Sequence, residues 1–192
     1  MSDPPTNVDV RTQNVFQAHP WHENGTMTIA TSGATVHLLC GYNGAGKTTY
    51  AKHLEKTAPA VRFSLDEWML RLYPDLSYDF AAYGSLAEAC KLLIWDVALQ
   101  VLRREVDVVL DWNQWSRDRR ATWRDNARKA DFAAVLHFVD VPLELAIERS
   151  TQRAADRVPG SHLLTPDGIR NLAVIFEKPT LDEGVPIDVV KR

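Results

Sequence analysis

The residues of clearest chemical consequence lie in GYNGAGKTT, Gly41 to Thr49, where Gly41, Gly46, Lys47 and Thr48 satisfy the spacing GxxxxGK[ST]. Glycines at 41, 44 and 46 let the backbone curl closely around an anion, so that several N–H groups and the positive end of the following helix face it. The expected nucleotide contacts are Gly41, Asn43, Gly44, Ala45, Gly46, Lys47, Thr48 and Thr49. Lys47 would reach the β- and γ-phosphates, and the Thr48 hydroxyl would hold Mg²⁺. Such a loop specifies a nucleoside triphosphate and leaves the fate of its γ-phosphate open.

Two carboxylates address that fate. VDVVLD, Val106 to Asp111, is an apolar strand ending in Asp111, placed to reach Mg²⁺ at the carboxyl edge of a sheet. RFSLDEWM, Arg62 to Met69, delivers Asp66 to the same edge, as a kinase needs for a general base that accepts the proton of an acceptor hydroxyl. Capping of the next helix by Asp66 or Glu67 is the alternative. Arg149, Arg153 and Arg157 follow at intervals of four on one helix face, just before a Pro-Gly loop. They form either a solvated face or a lid, around residues 153–165, that stabilises charge on the transferring phosphoryl group. In the second case the row lies over the nucleotide. Arg117, Arg120, Arg124 and Arg128 make a basic stripe, read as an ordinary solvated surface or a landing place for an anionic acceptor, with Asp125 able to pair with Lys129. Trp68, Trp112 and Trp115 flank the two carboxylates, as core residues or as aromatic pocket walls. His162 lies in the expected lid loop.

Positioning these groups requires a sheet with helices around it. Strand-length apolar runs at Thr35 to Cys40, Val61 to Ser64, Val106 to Asp111, Ala134 to Val139 and Ile187 to Val190 alternate with helical patterns, the signature of an α/β domain with a parallel sheet. The clearest helix runs from Gly84 to Arg104, with Leu86, Cys90, Leu93, Val97 and Val101 as its stripe and Ile94, Ala98 and Leu102 widening it. Ser116 caps a helix to about Ala130, Pro142 opens one to about Ala155, and Thr165-Pro166 opens a last one that Pro179 closes. Residues 1–33 lack periodicity and are expected to be a partly ordered extension; residues 34–192 form the domain.

Composition fits one ordinary soluble domain: 192 residues, 45% hydrophobic and 24% charged, with net charge −3. That charge supplies no global reason to expect a nucleic-acid or membrane binder. Cys40 and Cys90 sit in apolar runs without metal-ligand spacing. With no apolar run of membrane length and no signal-peptide pattern, a cytoplasmic protein is expected.

Taken together, these segments resemble P-loop phosphotransferases of the AAA type related to polynucleotide kinases, to small-molecule kinases such as chloramphenicol phosphotransferase, and to zeta-type toxins. The resemblance runs from about Thr35 to Val190. It rests on GYNGAGKTT, Asp66, VVLD at Asp111, Arg149 and Arg153, Ser161-His162, and the tail FEKPTLDEG from Phe176 to Gly184. It implies a P-loop three-layer sandwich: a five-stranded parallel sheet in the order 2-3-1-4-5 with helices on both faces. It further implies ATP as donor, Lys47 and Thr48 on phosphate and Mg²⁺, Asp66 as base, Asp111 near the metal and Arg153 in the lid. Two departures stand out. Leu65 precedes the base where polynucleotide kinases carry a basic or amide residue, and Trp112-Asn113-Gln114-Trp115 replaces their polar run. A small hydroxyl compound or nucleotide-like acceptor fits at least as well as a long nucleic acid. The expected activity is an ATP- and Mg²⁺-dependent kinase. The alternatives are a nucleotide-dependent switch read by a partner, a zeta-toxin-like nucleotide-sugar kinase, and a 5′-hydroxyl polynucleotide kinase.

Overall fold

A computed structural model describes residues 33–76, 81–156 and 164–191. The expected extension, apart from residue 33, and much of the expected lid, with Arg157, Ser161 and His162, lie outside the described residues.

Strand β1 (Thr35–Cys40) leads through the glycine loop into α1 (Lys47–Thr57), then β2 (Ala60–Ser64), α2 (Leu65–Leu72), α3 (Tyr83–Leu102) and β3 (Asp107–Asp111). Helix α4 (Arg117–Lys129), β4 (Ala133–Asp140), α5 (Leu143–Ala155), α6 (Pro166–Val174) and β5 (Ile187–Lys191) complete the order. All strands are parallel, in the order β2-β3-β1-β4-β5, as the resemblance implies. Central strands of such a sheet are covered on both faces and must be apolar throughout. Accordingly Val36, Leu38, Leu39, Val108, Val109, Leu110 and Leu136 are fully buried.

Register carries the chemistry to one edge. Ser64 pairs with Asp111 and Leu38 with Leu110, so β2 and β3 end together, close to where β1 enters the glycine loop. Side chains at these strand ends converge because parallel strands all point their carboxyl ends the same way.

Two helices depart from the expected pattern. On α3 the buried stripe is Ala87, Cys90, Lys91, Ile94, Trp95, Ala98 and Leu102, whereas Leu93 is 53% exposed. Apolar residues nearly encircle this helix, so periodicity alone could not select the packed face; Trp95 selects it by stacking edge-on against Trp123 of α4, 5.8 Å away. Helix α6 ends at Val174, well before Pro179. Beyond it the chain crosses to the segment just before α4, where Glu177 N–H donates to Trp115 O at 2.8 Å, and a helix continuing to Pro179 would forfeit that contact.

Candidate functional site

The glycine loop closes on itself and on its neighbours. Gly44 has φ +90°, and a Cβ there would lie 1.9 Å from the Ala146 carbonyl oxygen of α5. Its lack of a side chain therefore serves close packing of loop on helix as well as backbone freedom. Lys47 Nζ donates to Gly41 O and Tyr42 O, both at 2.9 Å. Burial pushes its ammonium below the usual lysine range, partly opposed by the carboxylates of Asp111 and Asp66, while Arg153 adds to the depression. Asp111, Asp66 and Arg153 are thus all near enough to act electrostatically on the same ammonium, although they come from three different elements.

Thr48 Oγ1 donates to Asp111 Oδ1 at 3.1 Å. A hydroxyl and a carboxylate, both hard oxygen donors, suit Mg²⁺, which takes few protein ligands and completes its shell with water and phosphate oxygens. Burial raises Asp111 from the usual carboxylate range, against the pull of Arg62, Thr48 and Lys47. Asn113 Nδ2 donates to Asn43 Oδ1 at 3.0 Å, tying the segment after β3 to the glycine loop.

Asp66 occupies the first turn of α2, two residues beyond Ser64 at the β2 edge. The helix is capped by Ser64, whose hydroxyl accepts from Glu67 N–H, so neither Asp66 nor Glu67 is the N-cap. On the other side of the loop, a cleft of about 660 Å³ runs between Gly44, Gly46 and Thr49 and the α5 residues Arg149 and Arg153. Arg153 Nη2 reaches Ser150 Oγ at 3.4 Å, while its buried Nε has no hydrogen-bond partner. An inward guanidinium N–H left without an acceptor suits a phosphate oxygen.

Several sequence readings need correction. The α4 arginines do not form one uniform stripe: Arg117 and Arg128 are exposed, as a solvated surface would have them, whereas Arg124 is half-buried and Arg120 is drawn into the core. Arg120 is buried and pairs with Glu183 through two bonds of 2.7 Å. Arg117 holds Asp182 at 2.8 Å, and Arg124 donates to Glu183 O and to Asp125, which is therefore not reserved for Lys129. Those contacts also account for the tail from Phe176 to Gly184. Arg120 Nη1 donates to Glu177 O at 2.9 Å and Glu177 accepts from Arg117 N–H, while Thr180 and Glu183 close a reciprocal capping box. The tail is a strap on α4. Trp112 is core, packed against Trp123 at 5.0 Å, Trp68 meets Phe63 edge-on, and Trp115 lies under Arg119.

One site residue escaped the sequence reading. Arg62, on β2, donates Nη1 to Asp111 Oδ2 at 2.9 Å and Nη2 to both Glu67 oxygens at 2.8 and 2.9 Å. A charged residue between the apolar Val61 and Phe63 of a strand was the available signal.

The AAA domain family (AAA_33) matches residues 36–165. The chain belongs to that family. Together with the loop geometry, membership makes it a P-loop nucleotide-binding domain. No curated protein matches the sequence. Solved structures with the same fold include a protein from Chloroflexus aurantiacus assigned as a kinase, at TM-score 0.65 and 17% identity, covering 83% of this chain and 89% of that one. A chain of the Pnkp1/Rnl/Hen1 RNA repair complex aligns at TM-score 0.62 and 19% identity, covering 74% of this chain and 43% of its own. Kti12 of Chaetomium thermophilum, solved with ADP-AlF3, aligns at TM-score 0.62 and 19% identity over 81% of this chain and 88% of its own. Among the described residues no helix is long and apolar enough to cross a membrane.

Proposed function

We propose that the protein is a Mg²⁺-dependent kinase that transfers the γ-phosphoryl group of ATP to a hydroxyl of a small or nucleotide-like acceptor. The observation that carries this reading is the convergence on Lys47: the Thr48–Asp111 pair at 3.1 Å on one side, and the charges of Asp66 and Arg153 acting on the same ammonium. A nucleotide switch needs the loop and the metal carboxylate; a second carboxylate at the β2 edge is what a transferase adds, to receive a proton.

Lys47 would exchange the carbonyls of Gly41 and Tyr42 for β- and γ-phosphate oxygens, which also restores the charge that burial weakens. Thr48 and Asp111 would hold Mg²⁺, which when bound neutralises charge across the β- and γ-phosphates. Asp66 would accept the acceptor's hydroxyl proton as its oxygen attacks the γ-phosphorus. The bond to the β–γ bridging oxygen then breaks, giving a phosphate ester and ADP. Arg153 would direct its free Nε–H at a γ-phosphoryl oxygen, where donors fixed in advance stabilise the transition state most. Arg149 would line the cleft occupied by the rest of the nucleotide. Free, buried Cys40 and Cys90 suit a reducing compartment such as the cytoplasm.

Asp66→Asn should lower phosphoryl transfer by about 10²–10⁴-fold, the usual span of a general base, while nucleotide affinity stays within about twofold. Labelled-phosphate transfer across panels of alcohols, drugs, nucleotide sugars and 5′-hydroxyl oligonucleotides measures the first and names the acceptor; equilibrium binding measures the second. Undiminished turnover in the variant removes Asp66 from its role.

A further inference from the structure

We propose that Arg62 is a positioning residue that holds Asp111 toward Thr48 and away from Lys47, and ties the metal carboxylate to the helix carrying Asp66. The inference rests on the reading of the site as a Mg²⁺-nucleotide centre and extends it to a residue with no expected role there.

The Arg62 side chain is 10% exposed and that of Asp111 3%. Each Asp111 oxygen has its own donor: Oδ1 takes the Thr48 hydroxyl at 3.1 Å and Oδ2 takes Arg62 Nη1 at 2.9 Å. With both oxygens engaged, the carboxylate has one orientation, and the oxygen facing Thr48 is the one positioned for a cation. Nη2 grips Glu67 through both oxygens, at 2.8 and 2.9 Å, and Nε faces the Glu55 carboxylate of α1 at 3.7 Å. Glu67 adjoins Asp66 on α2. Arg62 thereby joins the ends of β2 and β3 to the acceptor-side helix through one planar group, an arrangement that a point-like ammonium cannot copy.

The competing cation is Lys47, whose charge acts on Asp111 across the site. Released from Arg62, the buried carboxylate has Lys47 as its remaining cationic neighbour among the groups acting on it. An Asp111–Lys47 pair would withdraw the lysine from phosphate and turn the carboxylate from the cation position. Electrostatics alone predicts the opposite sign: deleting a positive charge 2.9 Å from a ligating carboxylate should strengthen Mg²⁺ binding. Orientation outweighs this because Mg²⁺ demands nearly ideal ligand geometry.

The test compares the wild-type chain with Arg62→Met and Arg62→Lys, measuring ATP affinity by calorimetry in EDTA and in Mg²⁺, with thermal melting as a check that each variant is folded. In both variants the Mg²⁺-dependent gain in ATP affinity should fall by about tenfold or more, the usual effect of removing a group that orients a metal ligand. Affinity in EDTA should weaken as well, by a smaller factor, as Lys47 is drawn off phosphate. Glu67→Gln, which loosens the other end of the fork, should give a smaller loss of the Mg²⁺ gain. A larger Mg²⁺ gain in Arg62→Met, or an unchanged gain in Arg62→Lys, overturns the positioning role in favour of plain charge. Should Arg62→Met fail to fold, Arg62→Lys and Glu67→Gln decide between the same two outcomes. A wild-type chain without any Mg²⁺ gain overturns this proposal together with the reading of the site, whereas an intact wild-type gain that the variants share overturns this proposal alone.

Discussion

At the scale of single residues, the site is defined by where side chains are missing as much as by where they act. Gly44 combines φ +90° with an approach so close that an added Cβ would meet the Ala146 carbonyl at 1.9 Å and Ser150 Cβ at 3.2 Å. Gly44→Ala must therefore push α5 away from the loop or distort the loop itself. Such a substitution is expected to cost about 1–3 kcal/mol of stability and to weaken nucleotide binding, readable by urea unfolding and by calorimetry with ATP. Cys40 shows the reverse case of a reactive type made inert. Burial pushes its thiol up to about 11, against the opposing charges of Arg120 and Lys47, so almost no thiolate exists at neutral pH. Native protein should leave Cys40 unlabelled by iodoacetamide at pH 7.5, and labelling should appear on unfolding; mass spectrometry of the peptide containing it reports both.

At the scale of elements, the strap from Phe176 to Glu183 and helix α4 are held together by one buried ion pair. Burial alone would raise the Glu183 carboxyl, but Arg120, the Thr180 backbone N–H and Arg117 together more than reverse this and hold it below the usual carboxylate range. Removing one partner of such a pair leaves a buried charge uncompensated, typically at about 3–5 kcal/mol. Arg120→Met alone should lose roughly that much in urea unfolding, and Arg120→Met with Glu183→Leu should recover most of it, because no buried charge remains. Equal losses in the single and double variants would show that the hydrogen bonds to Glu177 O and Gln114 O carry the stabilisation instead. All five expected strands are right to within a residue at each end, and the Ser116 and Thr165 caps bond as expected, because strand length, apolarity and capping are local properties. The α3 stripe and the end of α6 were not legible, because the first was chosen by Trp123 and the second by Trp115, both distant in sequence.

At the scale of the whole molecule, a chain of hydrogen bonds crosses the sheet. Asp107 of β3 meets His37 of β1 at 3.3 Å, His37 meets His137 of β4 at 2.9 Å, and His137 meets Asp188 of β5 at 2.9 Å, with Tyr50 of α1 on the same Asp188. Burial, helped by the neighbouring His37, lowers His137 below its ordinary value of 6.5, and Asp188 only partly opposes this. The unfolded chain therefore takes up that proton first, so the contribution of neutral His137 is complete above about pH 6.5 and is lost below it, as pH falls through the lower value of the folded state. Glu183, depressed in the fold from 4.5, adds a second loss as pH falls below that value. Unfolding free energy measured from pH 8 to pH 4 should be level at first and then decline in two stages. His137→Asn should flatten the first stage only.

By itself the sequence determined the α/β class, the P-loop, the strand ending in Asp111 and the strand that leads into Asp66, because each is written in contiguous residues: a glycine spacing, an apolar run, a capping hydroxyl. The tertiary structure alone decided which arginines are free for chemistry. Along the chain Arg62, Arg120 and Arg153 are equivalent cations. In the fold Arg120 is spent on Glu183 and Arg62 is divided between Asp111 and Glu67, whereas Arg153, beside the glycine loop, meets the neutral hydroxyl of Ser150 and keeps a buried Nε–H, like that of Arg62, without a hydrogen-bond partner. An ionic group takes its role from what burial leaves it to pair with, and those partners stand up to 63 residues away.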